Sequence, residues 1–176
     1  ARWSAQKYGM LVEDGFLLGV GETSKDRSGS IATMRDGNVD QVRVMSFVPQ
    51  AETPFAEKMS PPREEECLSI AVMRLTMPDR LIPASLDVDG IKGLQMRLQA
   101  GANVVTSIIP PRRGLAGVSQ SVLDIDQGLR SVSEVKGIVS RMGLRASSSD
   151  AYKKWVAFRK TAHTRERQRT HEDRRS

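Results

Sequence analysis

Ser85 and Asp87 stand two residues apart at the end of an apolar run, Leu81-Ile-Pro-Ala-Ser-Leu-Asp87. Side chains two apart on an extended chain point the same way, so a hydroxyl and a carboxylate would share one face. Such a pair suits a polar ligand: the carboxylate can take an ammonium and the hydroxyl can add a hydrogen bond. Arg43 lies inside a second apolar run, Val42-Arg-Val-Met-Ser-Phe-Val48. A guanidinium buried there has to be paired, because leaving it unpaired is very costly. Two partners fit equally: an internal acid such as Asp87, or the carboxylate of a ligand held by parallel N–H groups. Gly19-Val20-Gly21-Glu22 closes another apolar run just before a helix. Glycines there let a backbone approach a ligand closely, and a helix start offers free N–H groups. On its own this signal is weak, since many strand-to-helix loops contain glycine.

Metal-ligating residues are few. Cys67 is the single cysteine among 176 residues and falls in a predicted helix. It is expected to be a core or surface thiol, because an iron–sulfur cluster needs several thiolates. His163 and His171 both lie in the C-terminal tail, and no metal site is expected from them. One cysteine excludes an intramolecular disulfide and fits a reducing compartment, so a cytoplasmic location is expected. No apolar run approaches the roughly 20 residues of a membrane helix, and the first residues carry no signal-peptide pattern. With 39% hydrophobic and 27% charged residues, the chain reads as globular rather than disordered. Its net charge of +6 is uneven: residues 159–176 carry +4 and the rest only +2. The tail is expected to be a solvated, frayed terminus, and nucleic acid is not expected as a partner.

The elements that must position these residues alternate. Apolar runs at Met10–Val20, Val42–Val48, Leu81–Leu86 and Asn103–Ile109 are near-continuous, as in strands buried on both faces. Between them lie helical patterns. Thr23 as N-cap with Asp26 three residues on opens one, ending near Gly37. Pro61-Pro62 followed by Arg63 and three glutamates opens another, running to Met77. Asp89–Ala100 forms a third, closed by Gly101. Arg2–Tyr8 reads as the end of a helix closed by Gly9. After the fourth strand come a Pro-Pro-Arg-Arg-Gly loop, a helix over about 124–142 and a last helix over about 150–159. Strand–helix alternation of this kind means βαβ units and a parallel sheet. In a parallel barrel, the C-terminal strand ends that carry Ser85 and Asp87 form the catalytic mouth.

Five stretches together resemble a known family. They are Glu13-Asp14-Gly15, Gly19-Val-Gly21, Val42–Gln50, Leu81–Ile91 and Arg97–Ile108. In them the chain is similar, over about residues 2–145, to the methylornithine synthases, radical S-adenosylmethionine (SAM) enzymes of the biotin-synthase-like group. The resemblance implies an α/β fold: the C-terminal half of a TIM-type (β/α)8 barrel, its last four βα units plus C-terminal helices. It implies SAM and a 4Fe–4S cluster as cofactors and lysine as the small-molecule substrate, converted to 3-methylornithine on the way to pyrrolysine. The family's ligand-binding Arg, Ser and Asp fall on Arg43, Ser85 and Asp87, and its Gly-rich SAM region on Gly19, Gly21 and Glu22. The chain departs from the family in one respect. The cluster-binding Cys-x-x-x-Cys-x-x-Cys is absent, so the cluster ligands and the N-terminal half of the barrel are expected outside this chain, which alone is expected to be inactive. The expected organisation is a half-barrel over 1–118, C-terminal helices over 119–160 and a basic disordered tail over 161–176.

Overall fold

The computed structural model describes residues 2–108 and 130–172, the side chains of residues 2, 3 and 165–172 excepted. The elements are α1 (Arg2–Lys7), β1 (Glu13–Leu18), α2 (Ser24–Asp36), β2 (Gln41–Ser46), α3 (Arg63–Thr76), β3 (Pro83–Ser85), α4 (Gly90–Gln99), β4 (Val104–Thr106), α5 (Val132–Arg141) and α6 (Ser149–Glu172). β1 pairs with β2 and β3 with β4, both in parallel. A parallel bridge between Gln41 and Leu81 sets β2 beside β3, so the four strands stand in chain order. The four-strand α/β alternation predicted from the sequence is present.

Local chemistry explains the boundaries. Thr23 caps α2 in a reciprocal box with Asp26, as the spacing predicts. Pro62 stands at the N-cap of α3, with Glu64, Glu65 and Glu66 in its first turn, beside the positive helix end. Gly9 and Gly101 follow helix ends with φ of +72° and +114°, the left-handed backbone that glycine adopts most readily. Ser131 caps α5 in a second box with Glu134.

Period-2 alternation divides the strand residues between two faces. Leu18, Val42, Val44, Ile82, Ala84 and Leu86 point into the core, against Ile31 and Met34 of α2, Ile70 and Met73 of α3, and Leu94 of α4. Each large side chain buried there contributes roughly 1.5–3 kcal/mol. The other face carries Glu13, Leu17, Arg43, Met45, Ser85 and Asp87. Here the reading of strands buried on both faces is corrected: Glu13, Gly15, Leu17 and Met45 are exposed, because the described helices cover one face only.

Two further expectations change. The helix expected over 124–142 starts at Val132, because Arg130 precedes it and Ser131 is its extended N-cap. The residues of that helix before 130, the Pro-Pro-Arg-Arg-Gly loop and the 118/119 boundary lie outside the described residues. The last helix, expected to end near Arg159, runs on to Glu172, where a disordered tail was expected from 161. No Gly or Pro interrupts it, and Ala151 N donates to Ser148 Oγ at its start. One face of α6 is docked: Arg159 and His163 are buried, and Trp155 Nε1 donates to Asp79 O at 2.8 Å.

Candidate functional site

A cavity of about 410 Å³ opens at the C-terminal ends of β2 and β3, lined by Arg43, Met45, Glu66, Ser85, Asp87 and Arg97 among others. Arg43, Ser85 and Asp87, singled out from the sequence, therefore come together. Their placement follows from the pleat, since Arg43, Met45 and Ser85 occupy strand positions of the face turned away from the helices.

Asp87 lies just past the end of β3. Its backbone N–H donates to Ser85 Oγ at 3.0 Å, and Ser85 Oγ lies 3.1 Å from both Asp87 Oδ2 and Ser107 Oγ. Ser107 Oγ also donates to Asp87 Oδ2. Asp87 Oδ1 accepts from Arg130 Nη1 at 3.1 Å. Asp87 thus holds an internal cation on one oxygen and two hydroxyls on the other, while its side chain stays 26% exposed to the cavity. Ser107 lies within the matching stretch Arg97–Ile108 and is not singled out by the sequence; its backbone is left-handed, with φ +63°.

Arg43 pairs with Glu13 across the β1–β2 ladder. The internal partner suggested for it, Asp87, is not its partner here, since Asp87 is taken by Arg130. Gly15 lies directly opposite Arg43 in the ladder. A Cβ on Gly15 would come within 2.4 Å of Arg43 O, so this close approach requires glycine.

The reading missed the charge network behind the cavity. Glu66 accepts from Arg97 Nε at 2.6 Å and Arg97 Nη2 at 3.1 Å, from Arg63 Nη1 at 2.6 Å and from Ser46 Oγ at 2.7 Å. The Arg97 and Glu66 side chains are only 3% and 4% exposed. Burial works to raise the Glu66 pKa, but the hydrogen bonds and charge of Arg97, with Ser46 and Arg63, outweigh it and hold Glu66 below the usual carboxylate range. A sequence signal existed. Glu66 precedes Ile70, Met73 and Met77 at helical spacing, so a carboxylate stands on the apolar stripe of α3.

Gly19, Gly21 and Glu22 form a self-contained turn. The Glu22 carboxylate accepts from the N–H groups of Gly19 at 2.9 Å, Val20 at 2.9 Å and Gly21 at 3.2 Å, and pairs with Arg27 at 2.9 Å. Burial works to raise its pKa, yet the backbone donors and Arg27 hold it at about 2. The expectation of free N–H groups in this loop is therefore corrected: Glu22 occupies them. Gly19, at φ +95°, is packed by Pro61, whose Cδ would lie 2.7 Å from an added Cβ. Gly21, at φ +119°, has only Lys58 Nζ near, at 3.6 Å, so its Cα side is the open part of the turn.

Cys67 is half-buried, with its thiol pKa pushed up by burial and by neighbouring Glu66. A lone protonated thiol does not fit an iron–sulfur cluster. Among the described residues, no group of three His, Cys, Asp or Glu could hold a metal ion. No helix among them is long and apolar enough to cross a membrane.

No family model matches the chain. Over 145 residues it is 42% identical to the 3-methylornithine synthase of Methanosarcina barkeri, covering 82% of this chain and 41% of that protein. The 3-methylornithine synthase of Methanosarcina acetivorans is 40% identical over 140 residues, 80% of this chain and 40% of that one. The crystal structure of a methylornithine synthase matches with a TM-score of 0.79 at 39% identity, covering 86% of this chain and 45% of the other. The chain spans about two fifths of the length of the curated relatives it matches, and its fold corresponds to part of the methylornithine synthase fold.

Proposed function

We propose, from this homology to methylornithine synthases, that the chain supplies the last four βα units of a TIM-type barrel whose first half lies outside these 176 residues. The complete protein is then a radical SAM isomerase that converts L-lysine to 3-methylornithine in pyrrolysine biosynthesis. The observation that carries this reading is that Arg43, Ser85 and Asp87 line one cavity at the strand ends. Arg43 and Asp87, the partly exposed cation and anion of this lining, suit a molecule charged at both ends, and lysine has one carboxylate and two ammonium groups.

Arg43 takes the ligand carboxylate, exchanging Glu13 for it. Asp87 takes an ammonium on its exposed side while the buried Arg130 stays on Oδ1, with Ser85 adding a hydrogen bond. Arg43 and Glu13 are both partly exposed, and an ion pair open to water is weak enough to exchange. Holding the two ends of the substrate keeps its fragments in register for recombination. SAM with a 4Fe–4S cluster would supply the radical that starts this chemistry. The cluster's thiolates come from outside this chain, since Cys67 is its single cysteine, and the chain alone is inactive. At the SAM-facing turn, Gly21 offers the open Cα side while Gly19 and Glu22 hold the turn's shape.

The test is to give L-lysine and SAM to the complete, cluster-reconstituted enzyme and follow 3-methylornithine by mass spectrometry. Product supports the reading. SAM turnover without methylornithine would point to another small-molecule radical enzyme of the biotin-synthase-like group.

A further inference from the structure

Ser85 ends a strand of only three residues, and Asp87 lies beyond it. The chain then passes through two consecutive left-handed residues, Asp89 at φ +59° as the N-cap of α4 and Gly90 at φ +50° as its first residue. Ladder hydrogen bonding on this stretch is thin: Leu86 N reaches Thr106 O only at 3.4 Å. A carboxylate on such a segment needs another constraint to stay within a few tenths of an ångström of a working position.

That constraint is Arg97. Its Nη1 donates to Ser85 O at 3.2 Å and to Val88 O at 3.0 Å, the carbonyls just before and just after Leu86-Asp87. Its Nε and Nη2 are clamped by Glu66. Glu66 is fixed in turn by Ser46 at the end of β2 and by Arg63 on α3, and Arg63 Nε lies 2.5 Å from Asp89 Oδ2. A second feature of α4 serves the same path. Gly93 sits one turn before Arg97, and a Cβ there would come within 2.5 Å of both Arg97 Nη1 and Val88 O. Glycine inside a helix is destabilising relative to alanine, and here it opens the channel through which the guanidinium reaches the Asp87 segment.

We infer that Arg97, locked by Glu66 and admitted by Gly93, is a positioning residue that holds Asp87 and Ser85 in register with Arg43 across the cavity. It acts through backbone carbonyls and does not touch the ligand. The inference rests on the reading of Asp87 as the ammonium-binding group.

The experiment is a double-mutant cycle on lysine binding by the complete enzyme, measured by equilibrium dialysis with labelled L-lysine. Arg97→Met is made alone and together with Asp87→Asn. Arg97→Met should weaken binding about tenfold when Asp87 is intact and less than about twofold when Asp87→Asn is already present, because the two act through one contact. An equal loss in both backgrounds would mean that Arg97 is merely structural and would overturn the inference. If Asp87→Asn leaves lysine binding unchanged, it is the ammonium-site reading that fails, and the inference with it. Gly93→Ala keeps both charges of the Arg97–Glu66 pair and presses on the Arg97 Nη1–Val88 O contact, so it serves if Arg97→Met does not fold. It should give the same background-dependent loss, and equal losses would again contradict the inference.

Discussion

The two ends of the parallel strands carry similar charges and use them differently. At the N-terminal end, Asp40 accepts from Val12 N at 2.8 Å and from Arg159 Nε at 2.7 Å, and His163 Nε2 lies 3.1 Å from it. Arg159 also donates to Asn38 Oδ1 at 2.6 Å and Asn38 O at 3.0 Å, and pairs with Asp79 at 3.3 Å. The Arg159 and Asp40 side chains are 2% and 1% exposed. At the C-terminal end, Arg43 and Asp87 are each 26% exposed and border open space. Buried charges with every partner internal close a fold; charges that are themselves partly solvated remain available to a ligand. In parallel barrels the same division separates the stabilising bottom from the chemical mouth.

The largest effect should follow from breaking the closed end. Asp40→Ala leaves Arg159 buried with only Asn38 and the partly exposed Asp79 as partners and should cost about 3–5 kcal/mol of unfolding free energy, read from urea denaturation of the complete enzyme. A loss below about 1 kcal/mol would remove the contrast between the ends. Next comes Gly19→Ala, which meets both a left-handed backbone and Pro61. It should cost about 1–3 kcal/mol, seen as a lower denaturant midpoint and faster amide exchange in the β1–α2 turn. The same turn gives a pH signature. The Glu22 pKa falls on folding from its ordinary 4.5 to about 2. Its ionised form therefore stabilises the fold above pH 4.5, and that contribution is lost as pH falls from about 4.5 to 2. Glu22→Gln should flatten this part of the stability curve, and an unchanged acid limb would contradict the assigned role. The smallest effect belongs to Thr23→Ala, which removes one capping bond of α2 for about 1 kcal/mol and should leave lysine binding untouched.

What was legible in the sequence was what local rules encode. Alternating apolar runs and helical patterns yielded the strand order. The Thr23–Asp26 spacing yielded a cap, and the two-residue offset of Ser85 and Asp87 yielded a shared face. What was not legible depended on distant partners. Arg159 reads as tail charge because its partner Asp40 lies 119 residues earlier and no neighbouring residue points to it. Glu66 reads as a helix-start acid, which it also is, while its partner Arg97 stands 31 residues on. Both arginines could have been flagged from helical spacing alone: Arg97 follows Leu94 on the core side of α4, and Trp155, Arg159 and His163 recur at intervals of four along α6. The turn at Gly19 and Gly21 was located correctly, but the number of its donors that Glu22 would absorb depended on a side-chain rotamer that spacing does not specify.

The central proposal is that the open end is a clamp for a small molecule charged at both ends, with Arg43 as the cation that binds its carboxylate. It is tested most directly by measuring lysine binding and denaturant stability side by side for the complete enzyme and its Arg43→Ala variant. Arg43 and Glu13 form a partly exposed pair, so stability should change by less than about 1 kcal/mol. Lysine binding should fall by roughly 30-fold or more, as expected when a charge-paired contact to a ligand is removed. Lysine binding within threefold of wild type, or a collapse of stability that accounts for the loss, would contradict the account.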